Sequence, residues 1–577
     1  MAAALATGVA APSASAIEVN SLADPGNGNC NDGVCTLREA IALAGTTLTT
    51  PDTITFKAGL SGTITIANTS ASSGQFEIYS PMTIQGPGSG QITINASPGI
   101  QPPVRAFYTY SEGVTISGLT ITGGRGRAYG SGTRKQGGAI YSYGSGLTLE
   151  DVVITDSDSV SRGGAIFSNR TNLTVKSSVI TGGCKATSDG GGIDSVADAG
   201  SHPSSLSVID STISGCESGQ TGGGINAAGG SGPVSIERST ISGNGAFFNA
   251  GGVNLGNITG AATISDSTIA GNSTAYTAGG LMVGNIPAGT TIRNTTVANN
   301  TGDFGGVTLT GSSQGVTISS SVLADNNQMN GTPGADLNET SARALPVVLT
   351  NTLVEGLKSG MAIEQNPAGA SLIGVDPQLS PLADNGGPTK TMLIAESSPA
   401  VDAGVANGLA TDQRGLPRTS NGPGANGAGS DGTDMGAVEL QLDKSVDGAA
   451  VNASPVQKVK GKSVAIVVEA GAAEAVSLNG TGSITLKKKK GKGGKGKREL
   501  RANKPIALGA VTGNAPAGGT AKLTLTPSKS AGKKLAKQLS KGGKANATIT
   551  VVLTDALGNT TSKSVQVKLK GKKKRKR

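Results

Sequence analysis

Seven blocks of the chain share one alternation of apolar and polar positions: LTLEDVVITD, LTVKSSVITG, LSVIDSTISG, VSIERSTISG, ATISDSTIAG, TTIRNTTVAN and VTISSSVLAD. Ile154, Ile180, Ile213, Ile241, Ile269, Val297 and Leu323 fall in one column of that alignment. A period of two over about five residues predicts half-buried strands and excludes helices. Between the blocks a glycine pair precedes Ile140, Ile166, Ile193, Ile225, Val253, Leu281 and Val307. Self-similarity at such a period predicts a solenoid.

Each period carries two or three short strands, too few to bury an apolar face alone, so successive copies must stack. Parallel strands lie about 4.8 Å apart, which turns the isoleucine column into an aliphatic ladder. Three residues past that column stand Asn244, Asn272, Asn300 and Asn326. They are expected to form an asparagine ladder at a corner, where Asn tolerates a left-handed turn. The expected fold class is all-β, a right-handed parallel β-helix with an N-terminal helical cap and a C-terminal immunoglobulin-like β-sandwich. An antiparallel sandwich gives no reason for seven copies to stay in phase. Similar GG-[AG]-I repeats occur in polymorphic autotransporter passenger domains and polysaccharide lyases.

Five segments are expected. Residues 1–16 end in Ser-Ala-Ser-Ala, like the cleavage end of a secretory signal, but lack its basic start and read as a signal-peptide remnant. Residues 17–50 form a cap. There Thr36 at an N-cap position and Glu39 make a capping box ahead of an amphipathic helix, which would hide the first strand edge. Cys35-Thr36-Leu37-Arg38-Glu39-Ala40 resembles the CSLREA domain of bacterial secreted proteins, with Thr in place of Ser; the resemblance implies export. Residues 51–375 carry the coils. Residues 376–440 hold DPQLSPLADNGGPTKTMLIAESSPAVDAG, TDQRGLPR and DMGAVEL. They resemble the choice-of-anchor Q region that ends many bacterial β-helix surface proteins and precedes an anchoring device. Their Pro and Gly density predicts an irregular C-terminal cap, with Arg414, Asp412 and Asp402 as a structural ion-pair cluster.

Composition changes at the last boundary. Residues 441–577 carry 30 Lys plus Arg against 6 Asp plus Glu, a net of +24, whereas residues 1–440 have a net of −14. SVAIVVEA, GSITLKK, AKLTLTP, ANATITVVLTD and KSVQVKLK predict a small sandwich, and KKLAKQLSKG a helix. With the turn from Asp555 to Asn559, this segment resembles immunoglobulin-like repeats of bacterial surface proteins. Lys487 to Arg501 and Lys572 to Arg577 are too charged to pack. The expected partner is an anionic cell-wall polymer or envelope surface, held by charge. Nothing reads nucleic-acid bases, and no apolar run is long enough to span a membrane.

The chemistry is thin. The expected role is a secreted or envelope-associated adhesin or structural stalk, with a polysaccharide lyase or glycoside hydrolase as the alternative. The column three residues before the ladder reads Asp151, Ser177, Asp210, Arg238, Asp266, Asn294 and Ser320; its acids alternate with other residues, as in a solvated stripe rather than a carboxylate pair. His202 has no histidine partner for a metal or triad, Trp is absent, and no catalytic residue is assigned. Tyr108, Tyr110, Tyr129, Tyr141 and Tyr143 crowd into one stretch that also holds Arg125 and Arg127. Such a cluster on an overlong coil would stack on sugars and meet anions, though it also reads as packing near the cap. Asp24, Asn27, Asn29 and Asp32, and Asp431 with Asp434, are calcium-type oxygens but read better as Asx turns, so no cofactor or metal is assigned. Cys30 with Cys35, and Cys184 with Cys216 on adjacent coils, are expected to be disulfides, the second pair requiring one bulged coil.

Overall fold

The computed structural model describes residues 16–571 apart from 47–50, 68–73, 98–103, 127–134, 145, 198–203, 312–314, 341–344, 421–425, 442–445, 460–462, 488–503 and 556–558. The signal-like start, His202 and most of both lysine-rich runs therefore lie outside the described residues. The chain divides into two compact units, Met1–Gln441 and Leu442–Arg577.

The first unit is a parallel β-solenoid of about ten coils. A single coil shows the plan. Val234–Glu237 forms one strand, Arg238 turns the corner at φ 45°, and Thr240–Ser242, Gly245–Ala246 and Val253–Gly256 follow before the chain rises to Ala262–Ser265. Stacking these pieces makes a 23-stranded, a ten-stranded and a six-stranded sheet. Both sequence columns are in register: Ile154 pairs with Ile180, then Ile213, Ile241, Ile269, Val297 and Leu323. On the ten-stranded sheet Ile140 pairs through Ile166, Ile193, Ile225, Val253 and Leu281 to Val307. These inward residues merge into one core from Ile17 to Met361.

The glycine pairs have two separate causes. In most coils a glycine opening the run is left-handed, as at Gly163 with φ 66°, whereas before Val253 Ala250 takes that conformation and Gly251 and Gly279 do not. The second glycine has no room for a side chain, since a Cβ on Gly164 would stand 2.2 Å from the Gly191 carbonyl oxygen of the next coil.

The corners are held by two buried side-chain ladders. Asn244, Asn272 and Asn300 each donate their Nδ2 to the Oδ1 of the next asparagine, at 2.9 Å in every step, and their backbone N–H groups donate to the same oxygens. The ladder begins at the Cys216 backbone N–H and ends on Asp336, which accepts from Asn326 at 2.7 Å. The left-handed residue is the one before the asparagine, Gly243, Gly271, Asn299 or Asp325, not the asparagine itself. A second ladder runs along the other corner, where Ser178, Ser211 and Ser239 donate backbone N–H groups to the hydroxyls of Ser211, Ser239 and Ser267. Ahead of it, Asp151, Ser177, Asp210, Arg238, Asp266, Asn294 and Ser320 all have φ between 45° and 51°. That explains the column's short polar residues, which tolerate this conformation.

The expected stripe is only half solvated. Residues 376–440 return along the flank of the stack and cover the column from Asp266 onward. Gln413 accepts from Thr268 at 2.6 Å and donates to Thr240 at 2.9 Å; Ala437 donates to Thr296 at 3.0 Å and Gly436 to Ser320 at 2.7 Å. Arg418, fully buried, ion-pairs with Asp266. Arg414 binds Asp412 at 2.8 Å as expected, but Asp402 sits against Asp434, whose Oδ1 accepts its backbone N–H. Farther toward the N-terminus Arg238 forks onto Asp210 at 2.7 and 3.1 Å.

Helix α1, Leu37–Ala44, starts with the expected capping box and sends Leu37, Ala40, Ile41 and Ala44 into the core. Burial by itself would raise the Glu39 carboxyl, but backbone N–H groups of Thr36, Gly28 and Asn29 outweigh it and lower its pKa. Asp24 meets Arg38 through both oxygens, and Asn27 bonds Asp32. Cys30 and Cys35 form the expected disulfide. Cys184 and Cys216 do not: both are buried free thiols, correcting that expectation. The two coils are in register, and the thiols are near enough for Cys184 to add to the effect of burial in raising the Cys216 pKa, but no bond joins the sulfurs. The extra residue in the Cys184 coil is absorbed by two successive left-handed glycines, Gly182 and Gly183, where the next coil has only Gly215.

The second unit packs a three-stranded and a five-stranded sheet, with helix α2 at Lys529–Ser540, around a core of its own. Ile506–Ala515, Ala450–Asn452 and Val456–Val459 are strands additional to those the sequence pattern marks. Asp555 accepts from the Asn559 backbone at 2.8 Å and side chain at 2.7 Å, closing the turn.

Two outcomes are expected. Asn272→Ala leaves the buried Asn244 donors without their acceptor and takes two hydrogen-bonded contacts from the stack. It should cost about 3 kcal/mol, read as a lower melting transition of the first unit alone by calorimetry. Alkylation of unfolded, unreduced protein should label two cysteines, Cys184 and Cys216; labelling none would restore the second bridge.

Candidate ligand-binding face

The outer side of the ten-stranded sheet gathers most of the tyrosines. Alternation turns Ile140 and Ser142 inward and Tyr141 and Tyr143 outward. Register then places Tyr108, Tyr141 and Phe167 in one outward row. Tyr108 stacks on Tyr141 with centroids 5.3 Å apart, Tyr141 on Phe167 at 5.3 Å, and Tyr110 on Tyr143 at 5.7 Å. Three arginines not marked in the sequence complete the cluster: Arg105 over Tyr141 at 4.9 Å, Arg162 over Phe167 at 5.6 Å and Arg170 over Tyr143 at 5.9 Å.

Of the expected site residues, Tyr108, Tyr110, Tyr141 and Tyr143 thus come together. Arg125 does not join them. It lies on the six-stranded sheet, bonded to Asp156 at 3.1 Å and 3.5 Å from Asp158. Arg127 and Tyr129 lie outside the described residues. The rings chiefly shield one another: Tyr141 is 2 % exposed, while Tyr110 keeps 49 %. Burial pushes the Tyr108 hydroxyl pKa up, against the opposing pull of Arg105.

The same outward row continues as Asp194, Asn226 and Asn254. Asn254 donates to Asn226 at 2.6 Å and Asn226 to Asp194 at 2.8 Å. Arg162 Nε stands 2.6 Å from Asp194 and 3.4 Å from Asp189, so two carboxylates converge on one guanidinium. Asp194 is fully buried, and that burial raises its pKa to about 7 although Arg162 opposes the shift.

A second aromatic group escaped the sequence reading. Phe247, Phe248 and Tyr276 sit where the six-stranded sheet turns toward the ten-stranded one, with centroids 4.8, 5.5 and 5.4 Å apart. They are 50, 46 and 49 % exposed. The signal was the spacing from Phe248 to Tyr276, which equals the step of the ladder from Ile241 to Ile269.

Because the Asp194 pKa is raised above its unfolded value, its contribution to stability is full below about pH 4 and is lost as pH rises through about 7. The melting temperature of the first unit is expected to fall between about pH 4 and 7, a fall to which the raised carboxyls of Asp336, Asp434 and Glu439 also contribute, and Asp194→Asn should lessen that slope; an unchanged slope would remove Asp194 as one of its sources.

Comparison with family models, with curated proteins and with solved structures gives no match, so the assignment of this face rests on its own geometry.

Proposed function

We propose that the chain is a secreted or cell-envelope-associated surface protein, in which the solenoid acts as a stiff stalk that displays its flanks for adhesion and the cationic second unit retains it. The observation that carries this reading is the division of charge along the same boundary as the division of fold. The net of +24 falls on residues 441–577 and the net of −14 on residues 1–440. In the second unit Lys529, Lys533, Lys534 and Lys537 of α2 and Lys563, Lys568 and Lys570 of strand Thr560–Gly571 are exposed, available to an anionic wall polymer or lipid surface.

Further features support the reading. A disulfide suits an oxidising compartment. No helix among the described residues is long and apolar enough to cross a membrane. The resemblances to the CSLREA and choice-of-anchor Q regions imply export and surface attachment. Within this reading α1 is the cap of the first coil, the coil is right-handed as parallel crossovers generally are, and the second unit is an immunoglobulin-like sandwich.

A second reading, a polysaccharide lyase or hydrolase, is favoured by the convergence of Asp189 and Asp194 on Arg162. Turnover of uronate polymers by purified protein, with or without calcium, would establish it.

Electrostatic retention weakens as the screening length shrinks to about 3 Å at 1 M salt. A high-salt wash is expected to release the native protein from cells, and removal of residues 442–577 to release it at low salt. Retention through the wash would overturn charge as the anchor.

A further inference from the structure

From the geometry of the six-stranded sheet we infer that Phe247, Phe248 and Tyr276, with the groove beside them, form a binding site for a neutral polysaccharide chain lying along the stacking direction. The inference deepens the display role proposed above and rests on it only for its purpose.

The rings are held, not adventitious. Phe247 donates its backbone N–H to Ser218 at 3.1 Å, Phe248 to Gln220 at 2.9 Å, and Ala275 to Phe247 at 3.3 Å, each bond tying one coil to its neighbour. Phe248 and Tyr276 stack at an interplanar angle of 21°, and Phe247 stands edge-on to both. The three rings form a ledge that covers itself only in part, on a chain with 14 Phe and Tyr in total. Exposed aromatic area of this kind marks contact sites on soluble proteins.

Phe247, the member of the ledge nearest the charged row, lines one end of a groove of about 640 Å³, and Phe248 and Tyr276 continue beyond it through their contacts with Phe247. One wall is apolar or small, Val160, Thr187 and Gly219, leading to Phe247; the other is the charged row Asp158, Lys185 and Glu217. Gly219 keeps the floor low, since a Cβ there would stand 2.2 Å from the Thr187 carbonyl oxygen.

The charges decide the occupant. Lys185 bonds Glu217 at 2.9 Å, and Arg125 is shared between Asp158 at 3.5 Å and Asp156 at 3.1 Å, so two cations face three carboxylates and one negative charge is left over. The row offers donors and acceptors in paired form, which suits hydroxyls, and its residual negative charge disfavours an anionic polymer. A sugar chain presents apolar ring faces and hydroxyl edges at a repeat close to the strand spacing of about 4.8 Å. Ring faces would lie on Phe248 and Tyr276, and hydroxyl edges along the charged row.

The test is affinity electrophoresis of the full-length protein in native gels cast with soluble β-glucan, xylan, mannan or galactan, at low and high salt. At least one neutral polymer is expected to retard the protein regardless of salt. Phe248→Ala with Tyr276→Ala should weaken that retardation about tenfold or more, whereas Tyr110→Ala, on the other cluster, should leave it intact. Both variants touch exposed rings, and unchanged melting curves would establish that they fold. Retardation by no neutral polymer, or equal retardation of the double variant, would overturn the site. Salt-sensitive retardation by an anionic polymer alone would also overturn it while leaving electrostatic retention standing.

Discussion

Every feature of the first unit depends on identical side chains meeting at one strand spacing. An isolated coil could neither bury its isoleucines nor satisfy its corner N–H groups. Stacking solves both problems with the same translation. The asparagine ladder makes the dependence explicit, because each Oδ1 accepts two bonds from the coil before it and each Nδ2 donates to the coil after it. A buried amide is costly unless paired, so a coil that slipped by one residue would lose its ladder and its core together. Phase is therefore enforced by polar groups as strongly as by apolar ones.

This explains which parts of the structure could be read from residues. The glycine pairs, the isoleucine column and the asparagine column recur because a steric or hydrogen-bonding demand recurs at each coil, and a repeated demand leaves a repeated letter. Helix α1 was legible from Thr36 and Glu39 because capping is local. The course of residues 376–440 was not. Gln413 bridges two coils at Thr240 and Thr268, Arg418 ion-pairs with Asp266 and Asn407 bonds Asn294, and no period announces such contacts.

The candidate sites show the same division. Tyr108 and Tyr141 came together because register carried them into one row. Arg125 was grouped with them by proximity in sequence, yet a coil changes face every few residues and puts it on another sheet. Arg105, Arg162 and Arg170 approach from different positions along the chain and could not be assigned to this row without the fold. Cys184 and Cys216 were correctly placed on adjacent coils, but proximity of two backbones does not by itself join two sulfurs.

The return of residues 376–440 along the flank has a mechanical consequence. In a plain solenoid each coil senses only its nearest neighbours, so an end can fray one layer at a time. Here Thr240, Thr268, Thr296, Ser320 and Asn351, one from each of five consecutive coils, are bonded to a single crossing segment. Those layers cannot peel off singly. They must let go as a block, which converts the carboxyl-terminal half from a zipper into a laced bundle and leaves progressive loosening to the amino-terminal half.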